Sequence, residues 1–94
     1  MKDRPATEAE ANEREEALYR AVLTLGSVDE CRRFFRDLCT PAELQAFADR
    51  WRVVELLREG KPYREIYELT GVSVTTVGRV ARFLADGNGG YQIA

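Results

Sequence analysis

The sequence contains no histidine and only two cysteines, Cys31 and Cys39. Two thiols without histidine are too few ligands for a zinc site, and no nucleophile–base pair or phosphate-binding glycine loop is evident. The cysteines would lie about 12 Å apart along one continuous helix, too far for a disulfide bond. We therefore expect free thiols, no metal, no cofactor and no enzymatic activity.

Long apolar runs are also lacking. No stretch approaches the roughly 18 apolar residues of a membrane span, and the N-terminus has no apolar segment typical of a secretory signal. The sequence therefore predicts a cytoplasmic protein with no membrane partner. Its 94 residues are 45% hydrophobic and 32% charged, which indicates one small folded domain. Because so short a chain buries little surface alone, dimerisation is a natural way to enlarge the core.

Charge is distributed unevenly along the chain. The formal net charge is −2, which alone argues mildly against a nucleic-acid partner. Residues 1–49, however, carry a net charge of −4, whereas residues 50–82 carry +3. The basic surplus in the second half makes nucleic acid a reasonable partner.

Helical periodicity predicts an all-α fold. Residues 1–12 are polar and lack a sustained apolar stripe, so we expect a flexible lead-in that frays or forms a solvated helix. A helical domain follows over residues 13–86, and the glycine-rich segment 87–94 forms a tail. No segment alternates with the period of two that is typical of a strand.

Three predicted helices precede a shorter pair. The first begins near Glu13, a capping box of Ser27 and Glu30 starts the second, and Thr40 with Glu43 repeats this signal for the third. Trp51 lies at helical spacing within the apolar stripe, so we expect it in the core or the dimer interface rather than at a cofactor. The expected core and dimer residues are Leu18, Val22, Phe34, Phe35, Leu38, Phe47 and Trp51.

Residues 63–85 have the pattern of a helix-turn-helix. Gly71 stands where the tight turn commonly needs a positive φ, and Ser73 can cap the second helix. If Val77 and Val80 face the first helix, the polar edge of the second faces outward, where it can reach base edges and phosphates. The candidate DNA-binding residues are Arg64, Ser73, Val74, Thr75, Thr76, Gly78, Arg79 and Arg82.

Two alternatives stay open at this motif. Glycine inside a helix costs about 1 kcal/mol relative to alanine, so Gly78 is explained by close approach either of DNA or of a neighbouring helix. Similar helix pairs also occur in proteins that bind no DNA, and Glu65 and Glu68 would repel phosphate unless they point away. A helical protein-interaction module is therefore the alternative function.

A resemblance to the Trp repressor family lies in residues 38–84, LCTPAELQAFADRWRVVELLREGKPYREIYELTGVSVTTVGRVARFL. The shared features are Leu-x-Thr-Pro-x-Glu at a helix start, Arg-x-Arg before an apolar run, Gly71, and the Thr-x-x-Arg of Thr76 to Arg79. With LYRAVLTLGSVDECRRFFRDLCT and GNGGY included, the chain is similar to the YerC/YecD subgroup. The resemblance implies a repressor that forms an intertwined homodimer. Its two helix-turn-helix units would bind a palindromic double-stranded DNA site with half-sites about 34 Å apart.

The resemblance also implies a corepressor pocket at Thr40, Arg50 and Arg79. The family's glycine and serine beside this pocket are replaced by Val80 and Phe83, whose larger side chains are expected to fill the space of an indole. We therefore expect a regulator that does not respond to tryptophan. A repressor gated by another, unknown small effector is a further alternative. The long C-terminal helix of the family is replaced by the tail, so the dimer is expected to depend on residues 14–57.

Overall fold

The computed structural model describes residues 5–94, and this part of the chain is helical without a strand. Contacts divide the chain into two compact units, Met1–Leu38 and Cys39–Ala94. The all-α fold expected from the sequence is therefore confirmed. The helices are α1 (Glu8–Leu23), α2 (Val28–Leu38), α3 (Pro41–Arg58), α4 (Tyr63–Thr70), α5 (Val74–Asp86) and α6 (Gly90–Ile93).

The N-terminal helix begins at Glu8, before the apolar stripe that starts after Glu13. Residues 8–12 of the expected flexible lead-in belong to α1, and residues 1–4 lie outside the described range. The reason is a capping box in which the Thr7 hydroxyl accepts the N–H of Glu10 while the Glu10 carboxylate accepts the N–H of Thr7. Because both bonds satisfy backbone donors that a helix start leaves unpaired, the polar segment is helical without an apolar stripe.

The start of α2 differs slightly from a regular capping box. The Ser27 hydroxyl accepts the N–H of Glu30 at 3.1 Å, as expected. The Glu30 carboxylate, however, accepts the N–H of Gly26 at 2.7 Å, one residue before the predicted partner. The two side chains therefore cap the helix and fix the glycine that precedes it.

Residues 5–38, which include α1 and α2, contain no fully buried residue. The rings of Phe34 and Phe35 are half-buried and meet edge to face, with centroids 5.4 Å apart. Leu23 and Val28 are 83% and 76% exposed. The apolar side chains of this unit are thus only partly covered by the single chain.

The second unit contains the core. Helix α3 packs against both α4 and α5, and these two helices pack against each other. Residues Leu57, Leu84 and Tyr91 are partly buried and surround the core. The buried residues are Val53, Val54, Leu56, Ile66, Val72, Val77 and Val80.

The expected core residues differ from this set. Leu18, Val22, Phe34 and Phe35 are half-buried, and Leu38, Phe47 and Trp51 are exposed, so none of the seven belongs to the core of the single chain. In α3 the apolar residues extend around more than one side of the helix, and the side with Val53, Val54 and Leu56 faces α4 and α5. The role of the seven as dimer contacts stays a prediction.

No helix within residues 5–94 is long and apolar enough to cross a membrane. Both cysteines are free in the structure. Among the residues described, no three side chains of the kinds that bind metals are grouped together.

The capping box of α3 lowers the pKa of Glu43. The Thr40 hydroxyl accepts the N–H of Glu43 at 3.1 Å, and the Glu43 carboxylate accepts the N–H of Thr40 at 2.8 Å. The backbone hydrogen bond from Thr40, with a contribution from its side chain, lowers the pKa of Glu43. Because this pKa is lowered, the ionised Glu43 carboxylate stabilises the folded protein at pH values above the unfolded pKa of glutamate. This stabilisation is lost as the pH falls through the pKa of folded Glu43.

We predict that Thr40→Ala raises the pKa of Glu43 but leaves it below the ordinary value, because the backbone N–H at position 40 is retained. The measurement is a pH titration of the Glu43 side chain by carbon-detected NMR in both proteins. Identical titration curves would show that the Thr40 hydroxyl has no part in the shift.

Candidate nucleic-acid interface

A tight turn joins α4 to α5. Gly71 ends α4 with a φ of 75°, in the left-handed region that favours glycine, and its N–H donates to the carbonyl of Tyr67. The Thr70 hydroxyl donates to the Ile66 carbonyl at 2.7 Å and accepts the N–H of Val72 at 3.0 Å. The Thr70 hydroxyl therefore connects the last turn of α4 with the backbone of the loop that follows it. The sequence pattern indicated the glycine but not the role of this hydroxyl.

The second helix of the pair begins at a side-chain cap. The Ser73 hydroxyl accepts the N–H of Thr76 at 3.2 Å, and the two hydroxyls lie 3.1 Å apart. Ser73 and Thr76 therefore bond to each other at the start of α5. The helices lie where the sequence predicted them, with α5 extending one residue further to Asp86.

Apolar contacts determine which side of α5 faces outward. Val77 is 0% exposed and Val80 is 2% exposed, in the same core as Ile66 of α4 and Val72 of the turn. The opposite side of α5 is left uncovered. This exposed side, here termed the α5 rim, comprises the candidates Ser73, Val74, Thr75, Thr76, Gly78, Arg79 and Arg82, of which Thr76 and Gly78 are half-buried.

The charges of α4 are largely paired along the helix itself. Arg64 Nε lies 3.6 Å from the Glu68 carboxylate, and Lys61 Nζ lies 3.7 Å from that of Glu65. The two acidic residues that were expected to repel phosphate are therefore each partnered by a cation. Arg64 is exposed as a candidate contact, but it shares its charge with Glu68.

The arginines of the α5 rim have no such partners. Within residues 5–94, neither Arg79 nor Arg82 makes an ion pair. Arg79 instead lies over the ring of Phe83, with its guanidinium carbon 4.7 Å from the ring centroid. The positive charge of the rim is thus uncompensated by protein carboxylates, and it is available to an anionic partner.

The interior glycine of α5 is not required by packing against α4. A Cβ built at Gly78 would lie 3.9 Å from Cε2 of Tyr63, which is ordinary van der Waals contact. Of the two explanations for this glycine, close approach of α4 is therefore not supported.

The arrangement predicts that Gly78→Ala stabilises the folded protein by up to about 1 kcal/mol, since alanine is the better helix former and has room. The free energy of unfolding, measured in urea for both proteins, checks this expectation. A loss of stability would mean that the tight packing partner of this glycine lies elsewhere in the folded protein.

A cavity of about 490 Å³ lies beside the C-terminal half of α5. Two of the three residues of the expected effector pocket, Arg50 and Arg79, line it, whereas Thr40 does not and instead caps α3. Val80 and Phe83 lie in the wall and leave the volume open, contrary to the expectation that they fill it. The Phe83 ring lies beneath the guanidinium of Arg79 of the preceding turn.

Two arginines, Arg50 and Arg79, bring positive charge to this cavity. Within the described part of the chain, neither Arg50 nor Arg79 pairs with a carboxylate. The guanidinium carbon of Arg50 lies 5.9 Å from the ring centroid of Phe47, as Arg79 lies over Phe83. Aromatic rings of the same helices therefore already cover one face of each guanidinium group.

The tail forms the other wall of the cavity. Residues 87–94 turn back from the end of α5 and form the short helix α6, and the side chain of Tyr91 packs against the core. The guanidinium of Arg58 donates to the carbonyl of Tyr91, and the amide of Gln92 donates to that of Leu84. The sequence predicted a glycine-rich tail without these contacts.

An all-helical domain that exposes the polar, basic edge of a capped second helix has the arrangement of a helical DNA-binding domain. A model of the Trp repressor protein family matches residues 13–94. The chain therefore belongs to the Trp repressor family, whose fold is that of a transcription regulator. The resemblance identified in the sequence is confirmed.

The chain is also similar to individual proteins and solved structures. The uncharacterised protein YerC of Bacillus subtilis is 46% identical over 77 residues, which are 82% of this chain and 74% of that protein. The crystal structure of a TrpR-like protein from Eubacterium eligens matches with a TM-score of 0.79 at 42% identity, covering 83% of this chain and 80% of that one. A protein from Staphylococcus aureus, described as a proposed Trp repressor, gives a TM-score of 0.82 at 34% identity, covering 94% and 90%.

Proposed function

We propose that this protein is a sequence-specific DNA-binding repressor, without catalytic activity, that acts as a homodimer through a helix-turn-helix formed by α4 and α5. The observation that carries the proposal is the α5 rim, whose hydroxyl, apolar and arginine side chains are exposed while the valines behind them are buried. Arg79 and Arg82 supply charge to phosphates or guanines, and Val74 can contact a thymine methyl.

Glycine at position 78 supports the same docking direction. The space around it accommodates a methyl group, so the conformational cost of glycine in the helix has no explanation in the packing of α4 against α5. A duplex that approaches the backbone of α5 closely at this point would explain it. Gly78→Ala is therefore expected to weaken duplex binding while it stabilises the fold.

Incomplete burial of the first unit supports a homodimer. Its apolar residues Leu18, Val22, Phe34 and Phe35 are only half-buried, and Leu38 is 51% exposed. A second copy that packs against these side chains would remove them from water and enlarge a small core. Two-fold symmetry of such a dimer would present two α5 rims and would select a palindromic site.

Selection of binding sequences from a random duplex pool is the direct test of this function. We expect a palindrome whose half-sites are about 34 Å apart, and affinity that falls steeply as salt rises because phosphate contacts release counterions. Failure to enrich any duplex, together with salt-insensitive binding to a protein partner, would support the interaction module instead.

Arg79→Ala is expected to cost about 1 to 3 kcal/mol of affinity for the selected duplex while the dimer stays folded. The matched control is Arg52→Ala, which removes an exposed arginine that pairs with Glu55 on α3, outside the α5 rim. Fluorescence anisotropy titrations of the wild-type protein and both variants provide the comparison. Unchanged affinity of the Arg79 variant would contradict the docking of α5 in the groove.

A repressor gated by a small effector is the second candidate function, and the cavity with two unpaired arginines favours it. We propose that tryptophan is not the effector, because Val80 and Phe83 replace the smaller glycine and serine of the family in the cavity wall and change its shape. Isothermal titration with L-tryptophan is expected to give no binding, and a micromolar Kd would overturn this expectation. Other amino acids and nucleotides can be screened through the thermal stabilisation that any ligand of the folded state produces.

A further inference from the structure

The C-terminal tail is held in place by its backbone geometry. A Cβ built at Gly87 would lie 2.3 Å from the carbonyl oxygen of Phe83, a distance that no side chain tolerates. Gly89 has a φ of 82°, in the region that favours glycine. These two glycines reverse the chain at the end of α5, so residues 87–94 return over the cavity rather than extending away from it.

The contacts that hold the returned segment are few and exposed. Within residues 5–94 they include the packing of Tyr91 and the hydrogen bonds from Arg58 to the carbonyl of Tyr91 and from Gln92 to that of Leu84. All the residues of α6 except Tyr91 are exposed. A segment with little buried surface and exposed hydrogen bonds opens at a low free-energy cost compared with global unfolding.

The same segment touches the residues that connect the cavity to the α5 rim. The turn at Gly87 rests on the backbone of Phe83, and the ring of Phe83 lies under the guanidinium of Arg79. Tyr91 lines the cavity together with Arg50, Trp51 and Arg79. Movement of the tail therefore changes the support of an arginine that is a candidate DNA contact.

We propose that residues 87–94 form a strap that covers one side of the cavity between α3 and α5, and that opening of the strap gives small anions freer access to Arg50 and Arg79. We further propose that the closed strap, in the position observed, holds Arg79 in its DNA-binding position. The third part rests on the proposed function, whereas the first two do not. Since the effect of one site on another is reciprocal, a bound duplex would in turn favour the closed strap.

The only tryptophan of the chain, Trp51, lies in the wall of this cavity and reports whether the strap is closed. Gly87→Ala introduces the Cβ that the closed turn cannot accommodate. The matched control is Gly90→Ala, in the same strap, where a Cβ would have no atom within 4 Å. Far-UV circular dichroism verifies that both variants keep the helical fold.

We expect acrylamide quenching of Trp51 to rise by about twofold or more in Gly87→Ala and to stay at the wild-type value in Gly90→Ala. Quenching by iodide is expected to increase more than quenching by acrylamide, because Arg50 and Arg79 attract an anion. Hydrogen exchange of residues 89–94 should accelerate in the first variant only, since it releases the helical bonds of α6. Wild-type quenching and exchange in Gly87→Ala would overturn the strap. If Gly87→Ala does not fold, Tyr91→Ala, which removes the packed ring alone, is judged by the same criteria.

Duplex binding tests the proposed link between the strap and Arg79 separately from the proposed DNA-binding function. If the wild-type protein binds the selected duplex, Gly87→Ala is expected to bind it about fivefold or more weakly, and Gly90→Ala equally well. Equal binding by all three proteins would overturn the link to Arg79. If the wild-type protein binds no duplex, the proposed function fails, while the quenching results still decide whether the strap exists.

Discussion

The burial of Val77 and Val80 of α5 against α3 and α4 is the constraint on which the rest of the structure depends. These two valines share a core with Ile66 of α4 and with Val53 and Val54 of α3. Because a helix that buries one side must expose the other, their burial determines the direction of every polar residue between Ser73 and Arg82. The α5 rim is therefore a consequence of packing. The contacts of its own side chains within the protein include the cap formed by Ser73 with Thr76 and the position of Arg79 over Phe83.

The helix pair was well predicted from the sequence because its signals are local. Gly71 needs a positive φ, Ser73 caps the following helix, and the spacing of Ile66, Val77 and Val80 determines which sides meet. The apolar side of α3 was predicted less well. Phe47 and Trp51 lie at the correct spacing for a helix, but periodicity alone does not reveal which of several apolar sides faces a neighbour.

Long-range contacts account for the remaining differences. The tail meets Arg58 across 33 residues of sequence, and no local pattern of glycines indicates that partner. The open cavity was also not predicted from the sequence. The sequence showed that Val80 and Phe83 are large, but it did not show that the Phe83 ring packs beneath Arg79. The early start of α1, by contrast, was encoded locally in Thr7 and Glu10, a capping pair within a polar segment.

The ion pairs along α4 have a consequence for how the protein meets a charged polymer. Lys61 with Glu65 and Arg64 with Glu68 cancel one another over distances shorter than the Debye length of about 8 Å at physiological ionic strength. At longer range the charges of these pairs largely cancel, whereas Arg79 and Arg82 of the α5 rim have no ion-pair partner within residues 5–94. If the rim binds DNA as proposed, this difference between the two helices would orient the first encounter towards α5 and shorten the rotational search.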